Sequence, residues 1–501
     1  MFKLKPKSKS KRVVSVVVLF MLIALLVSCA PRAVDQPEQP AEQQPAEQQL
    51  QPTVTPVQEE PEKQLPPMTT ENITLTYASW ENSYLNEFLA ERFMEKYPNI
   101  TVNLVHIDFG AWNDGLLNLA AAQNLPDAFW YLGNADIGLR NGWFGDMTEF
   151  FENDPETETI FETMRMQGYF DGERKFAQPS KLLPFTVFLD KGIFEKLNVP
   201  MPSPDWTYDE MIELMQRMTV PEQGIFGYNT FTQLVTIAPI VNADALGEFG
   251  WDGERYDLTG YWAEALTQHA EFVRTGVHAP FYNTDAAEAA FGDRHLWAGA
   301  SGRVAIQLDA WWTLSLFSSP EFIDRGINWV PFPVPRGANA TTNRKPAFVD
   351  FGAISSATEH PREAYELLKF MGWGREGWEH KLYAYENLTR EDGQRVFIYP
   401  DNIPMIDVPE IWEGFKRLLP QTPYVAAFLE RAREPIPLGG ASQPGFQTFL
   451  DEVYFGGEHG NIEAAIIEGR VNAFDVAPDL TEKLNLYRQQ AIEEIMIIYP
   501  R

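Results

Sequence analysis

Within residues 73–104 a strand, a helix and a second strand follow one another with short joints, and this order leaves few architectures open. Ile73, Leu75 and Tyr77 alternate with threonines and end at Ala78-Ser79-Trp80, which is a strand pattern. Leu85, Leu89, Phe93 and Tyr97 then recur every fourth residue, with Phe88 on the same side, so this stretch is a helix. Asn82 and Ser83 are suited to cap its start, and Pro98-Asn99 ends it. Ile100, Val102 and Leu104 alternate again. Such a unit places its two strands parallel. A further helix over 112–122 leads to a third strand at Pro126-Asp127-Ala128-Phe129-Trp130-Tyr131. The spacing predicts an α/β sheet covered by helices on both faces. In such sheets ligands lie beyond the C-terminal strand ends. Those ends are Trp80-Glu81-Asn82, His106 to Asp108, and Trp130-Tyr131 with Asn134 and Asp136.

What precedes this domain has no means of folding. Residues 31–70 are dominated by Pro, Gln and Glu, with Pro-Ala-Glu-Gln-Gln occurring at 40–44 and again at 45–49. Almost nothing there is apolar enough to repay ordering entropy, so the segment is expected to be an extended linker. Ahead of it stands a basic stretch with Lys3, Lys5, Lys7, Lys9, Lys11 and Arg12, then an apolar run from Val13 to Val27. That order is a secretory signal, and the run is shorter than the roughly 20 residues of a spanning helix. It closes on Leu26-Val27-Ser28-Cys29, and Cys29 is the only cysteine in the chain. A lone thiol has no disulfide partner. The pattern resembles a bacterial lipoprotein signal, which implies cleavage before Cys29 and a lipid on its sulfur, so that the chain is anchored at the outer face of the cell membrane.

The formal charge is −30. Strong negative charge argues against nucleic acid and against anionic headgroups as partners. Signals for catalysis are poor. Gly372-Trp373-Gly374-Arg375-Glu376-Gly377 has dinucleotide-fingerprint spacing but follows a helix rather than a strand, so its glycines lack the context that gives them meaning. His106, His269, His278 and His295 show no metal-ligand spacing. No cofactor, no metal and no catalytic residue is expected.

Several stretches resemble the extracellular solute-binding proteins of sugar ABC transporters, the maltodextrin-binding type. They are Phe93-Met94-Glu95-Lys96-Tyr97-Pro98-Asn99-Ile100, the Pro126-Asp127 strand, Phe194-Glu195-Lys196-Leu197 with Trp206-Thr207-Tyr208-Asp209-Glu210, Gly302-Arg303-Val304-Ala305-Ile306-Gln307-Leu308-Asp309, Trp329-Val330-Pro331-Phe332-Pro333, and Gly352-Ala353-Ile354-Ser355 before a helix at 361–370. Each motif is loose; their order along the chain is more specific. The resemblance implies a two-lobed α/β fold of the periplasmic-binding-protein type with a hinge between lobes. The expected organisation is a signal peptide at 1–28, a linker at 29–71, a first lobe at 72–147 and 309–357, and a second at 148–308 and 358–501. Residues 302–309 would form the strand that re-enters the first lobe, and Ile462 to Gly469 would belong to the closing helices.

By the same resemblance the function is capture of a carbohydrate, an oligosaccharide, by a monomer that hands it to the membrane permease of an ABC transporter. A sugar ring has apolar C–H faces, which aromatic rings cover, and hydroxyl edges, which Asp, Glu, Asn and Gln bind. Candidates for contact are Trp80, Glu81, Asn82, Asp127, Tyr131, Gln178, Asp309, Trp311, Trp312, Asp350 and Trp378. For Asp127 bracing of a turn is an equal reading, and Trp130, Trp206 and Trp329 suit ordinary packing. Two other classes stay open: a receptor for a polyol, glycerol phosphate or peptide on the same fold, and a lipid-anchored glycan hydrolase or adhesin.

Overall fold

The computed structural model describes residues 63–500, except 132–135, 231–232, 343, 434 and 441. The signal peptide, the lipidation candidate Cys29 and the linker up to residue 62 lie outside the described residues. The linker expected to reach residue 71 differs from the structure over its last part. Residues 63–72 form no helix or strand, yet they lie on the domain. Lys63 pairs with Glu158 at 2.5 Å, the Arg362 Nε–H donates to the Pro66 carbonyl at 2.8 Å, and the Thr69 N–H donates to Glu363 at 2.6 Å. Leu65 and Met68 give it an apolar side that packs on the core.

Among the described residues nine strands join in one sheet. They are β1 (Ile73–Ser79), β2 (Ile100–His106), β3 (Ala128–Tyr131), β4 (Gln178–Asp190), β5 (Phe226–Asn229), β6 (Val304–Ala310), β7 (Trp329–Phe332), β8 (Pro346–Ile354) and β9 (Ile436–Pro437). The order is β2-β1-β3-β8-β4-β6-β5, with β7 on β4 and β9 on β8. The strand, helix, strand reading of the first segment holds: β1 and β2 pair in parallel from Ile73↔Ile100 to Ser79↔His106, and β3 joins β1 in parallel. Between β1 and β2 the helix Ser83–Lys96 buries Leu85, Leu89 and Phe93, and the Asn82 side chain accepts the Leu85 N–H at 3.3 Å to start it. The helix Trp112–Ala121 follows, one residue shorter than expected.

The strands that join the lobes run antiparallel. β4 is 13 residues long and buried throughout. Over Gln178–Pro184 it pairs with β8, and from Phe185 to Asp190 it pairs with β6 and β7. One strand therefore belongs to the sheets of both lobes. Pro184 stands at the change of partner, where its carbonyl accepts the Trp311 N–H at 3.0 Å.

Lobe boundaries differ from the expected ones in two ways. The stretch 302–309 resembles the strand that re-enters the first lobe, although the expected boundary kept 302–308 in the second; β6 pairs with β4 beyond Phe185 and with β5, in the second lobe. The return is made by β8. All seven residues of β6 are buried, so its own pattern carries no information about its neighbours. Second, 148–176 and 358–432 pack on the first lobe. Phe151, Met164, Phe176, Tyr365, Phe370, Trp373, Trp412 and Phe415 share one core with Leu75, Phe93 and Phe129. Phe370 meets Phe93 edge-on at 5.5 Å. The second lobe is built from β5–β7, the helices Tyr208–Arg217, Gln233–Asn242 and Tyr261–Thr275, and the segment that ends at the helix Ile462–Ile467. The last helix, Ala473–Ile498, begins in that lobe with Ala477, Leu480 and Leu484 and ends in the first with Ile495. No helix among the described residues is long and apolar enough to cross a membrane.

Candidate functional site

Where β4 and β8 cross between the lobes they pair Lys181 with Asp350 and Leu183 with Phe348. Alternate residues of a strand face the same side, so these four form one surface. Around it opens a cleft of about 610 Å³. The first lobe contributes Trp80 and Glu81, which leave the end of β1, and Phe109. The second contributes Trp312, Glu248, Phe249, Phe446, Leu450, Tyr454, Phe455 and Glu463.

The floor is a buried charge network. Lys181 Nζ lies 2.5 Å from Glu81 Oε1 and 2.9 Å from Asp401 Oδ2. The Tyr385 hydroxyl donates to the other Asp401 oxygen at 2.8 Å. Burial pulls the Lys181 ammonium toward deprotonation, but the carboxylates of Asp401, Glu81 and Asp350 outweigh it and hold its pKa above the ordinary value. Burial raises Glu81, and Lys181 only partly offsets this. Asp350 is pushed up to about 7 by burial, against the pull of Lys181 and with the repulsion of Glu81. Asp401 is lowered, since Lys181 and its hydrogen bonds overcome burial. Lys381 stands behind the network, brought down to about 7 by burial and by the Lys181 charge, and donates to the Gly372 carbonyl at 2.6 Å.

Aromatic rings make the walls. Trp80 is held edge-on by Trp112 at 4.7 Å, Phe109 at 5.9 Å and Trp130 at 6.0 Å, so its orientation is fixed before any ligand arrives. Trp312 leans on Phe348 at 5.2 Å. Across the cleft Phe249 touches Phe446 at 5.0 Å, and Tyr454 touches Phe455 at 5.2 Å. Tyr454 donates its hydroxyl to Glu463 at 3.1 Å. Phe109, Trp312 and Phe455 remain 62 %, 41 % and 43 % exposed. Large rings left open to water around a cavity mark a surface made to be covered.

Of the residues named from sequence, Trp80, Glu81, Trp312 and Asp350 line this cleft. The others do not. Asn82 is a helix cap. Asp127 takes the N–H and hydroxyl of Thr76 and the hydroxyl of Thr358, each within 2.8 Å, and so braces β1. Tyr131 is buried beside Phe144 at 5.0 Å, with its hydroxyl accepting the Gly138 N–H. Gln178 is buried at the start of β4, and its side-chain amide has no hydrogen-bond partner among the described residues. Asp309 is buried, accepts the Ala310 N–H at 2.8 Å, and is pushed up to about 6 by that burial. Trp311 lies flat on Phe428 at 4.8 Å and donates its indole N–H to the Pro400 carbonyl at 3.0 Å. Trp378 is buried against Phe415 with Lys381 over its ring. We expect Trp311→Ala to lower unfolding free energy by about 3–5 kcal/mol, as for other buried tryptophans, while the folded fraction keeps its ligand affinity. Denaturant titration beside calorimetric binding checks both halves.

Sequence reasoning missed Lys181 and the second-lobe wall. Lys181, the one basic residue in the strand Gln178–Asp190, was a usable signal, because lysine is almost never buried unless paired. Phe446 to Phe455 carried none, since only the fold brings them opposite Trp80. Among the described residues no cluster of three His, Cys, Asp or Glu is arranged to hold a metal ion.

A family model for bacterial extracellular solute-binding proteins matches residues 78–372. No curated protein matches the chain. Among solved structures, an ABC substrate-binding protein from Listeria monocytogenes in complex with cycloalternan is similar, with TM-score 0.63 and 17% identity over 83% of this chain and 99% of that one. A solute-binding protein from Thermotoga lettingae bound with α-D-tagatose gives TM-score 0.59 and 17% identity, covering 83% and 99%. A cyclo/maltodextrin-binding protein complexed with maltotetraose gives 0.56 and 16%, covering 84% and 97%. At these identities the likeness is one of fold.

Proposed function

This chain belongs to the bacterial extracellular solute-binding proteins, and from that premise we propose that it captures an oligosaccharide in the cleft between its lobes and delivers it to the permease of an ABC transporter. The observation that carries the reading is the pairing of exposed rings with buried carboxylates. Phe109, the half-buried Trp80 and Trp312 offer flat apolar faces, while Glu81 and Asp350 at the floor can accept hydrogen bonds from hydroxyls. Apolar faces with hydroxyl edges are the chemistry of a sugar ring, and a few placed polar groups in an aromatic pocket fix its orientation. The work is binding rather than catalysis. A ligand that touches both lobes favours the closed arrangement by its differential affinity, which is what a permease would read. The solved relatives bound to cycloalternan and maltotetraose support a chain of sugars.

The test is a thermal and calorimetric screen of the secreted protein against neutral oligosaccharides, with chromatography of the sugar afterwards. At a ligand concentration about 100 times Kd the stabilisation is about 2.7 kcal/mol, with the sugar recovered intact. Cleaved product would sink the receptor reading. A response to polyols or peptides alone would move the solute class and leave the receptor.

The proposal extends to the cell surface. Cys29 carries the lipid, the mature protein is a monomer outside the membrane, and the linker holds the domain away from it. Two acyl chains suffice for stable anchoring. Cys29→Ala is expected to shift the protein from the detergent phase to the aqueous phase, or to leave an uncleaved precursor, with affinity for sugar unchanged.

A further inference from the structure

We infer that the cleft selects an uncharged glycan and rejects anionic ones such as uronate, sulfated or phosphorylated sugars; this rests on the carbohydrate reading above and narrows it. The charged side chains that line the cleft are Glu81, Glu248, Asp350 and Glu463 against one cation, Lys181. That cation is committed. It holds Glu81 at 2.5 Å and Asp401 at 2.9 Å and stands opposite Asp350 in the strand pair. No arginine lines the cleft among the described residues. The carboxylates stand on two sides of the cleft, Glu81 and Asp350 on the floor and Glu248 and Glu463 on the second-lobe wall. An anionic ligand must also leave water to enter the cleft, and with no unpaired cation there to receive it that cost is not returned.

An uncharged sugar meets the opposite situation. Each hydroxyl donates one hydrogen bond, and a carboxylate is an acceptor with several free directions. Hydrogen bonds to a charged acceptor are the stronger kind. The Tyr454 hydroxyl already shows the geometry, donating to Glu463 at 3.1 Å. Lys181 serves here by pairing with Glu81 and Asp401 and orienting them rather than by holding an anion.

The experiment is calorimetric titration of the full secreted protein with three probe sets of matched length: neutral malto-, xylo-, manno- and cello-oligosaccharides, oligogalacturonides, and chitosan oligomers. The expected result is binding of at least one neutral oligosaccharide, with oligogalacturonides at least about a hundredfold weaker. That gap should narrow between about 50 mM and about 500 mM salt, because the neutral series has no charge to screen and the galacturonides do. In Glu463→Gln, which keeps an acceptor for Tyr454, the gap should shrink about tenfold. Oligogalacturonides binding as tightly as the neutral series would overturn the inference and leave the carbohydrate reading standing. So would chitosan oligomers outranking every neutral sugar, or a gap indifferent to both salt and Glu463→Gln. Failure of all three sets would instead overturn the carbohydrate reading itself.

Discussion

Trp80→Ala is expected to weaken ligand binding by roughly 30- to 1000-fold, the loss that accompanies removal of an aromatic anchor worth about 2–4 kcal/mol. Trp80 leaves the end of β1 and enters the cleft beside Glu81. Its ring is gripped by Trp112, Phe109 and Trp130, so no rotamer freedom is lost when a sugar stacks on it. Truncation removes the stacking face and loosens Phe109, which stays exposed at the cleft mouth. Trp80→Phe keeps a ring in place and should recover most of the affinity. Calorimetry on protein whose folding has been verified by circular dichroism reads the effect. Unchanged affinity in the alanine variant would remove this cleft as the ligand site.

Lys181→Met is expected to cost about 3–5 kcal/mol of stability, because removing one partner leaves buried charge uncompensated. Here the ammonium stands among Glu81, Asp350 and Asp401. Without it the three carboxylates repel one another and favour protonation. The native state of the variant then holds protons that its unfolded state releases above the ordinary carboxylate range, so the variant should lose stability as pH rises from about 4. The deficit relative to the parent is therefore smallest in acid and largest at neutral pH. Adding Glu81→Gln and Asp401→Asn to Lys181→Met should restore much of the loss, since a neutral network of similar shape has no charge to bury. Urea titrations of the three proteins across pH measure this. A stable Lys181→Met at neutral pH would show that the network does not depend on its cation.

Much of the fold was open to a reader of the chain. Threonine alternation in β1 and the four-residue period of Leu85, Leu89 and Phe93 are local facts, and both elements form where those periods place them. The lobe limits were less open. β6 is buried on both sides, so nothing in it distinguishes pairing with β4 in the second lobe from return to the first. The helix Pro361–Met371 looked the same whichever lobe it covered, and its contact with Phe93 is made across a long stretch of chain.

The candidate site divides in the same way. Trp311 and Trp312 are neighbours with one composition around them, yet the first is fully buried on Phe428 and the second is 41 % exposed in the cleft. Local sequence was enough to show that strands and helices alternate, that aromatic and acidic residues gather past strand ends, and that a basic stretch and an apolar run closing on the one cysteine precede the domain. These depend on periodicity and composition, which a single segment contains. Tertiary structure alone decided which rings face the cleft and that Lys181 lies at its centre. Lys181 meets Glu81 and Asp401 from positions 100 and 220 residues away, and burial and pairing belong to the neighbours the fold supplies.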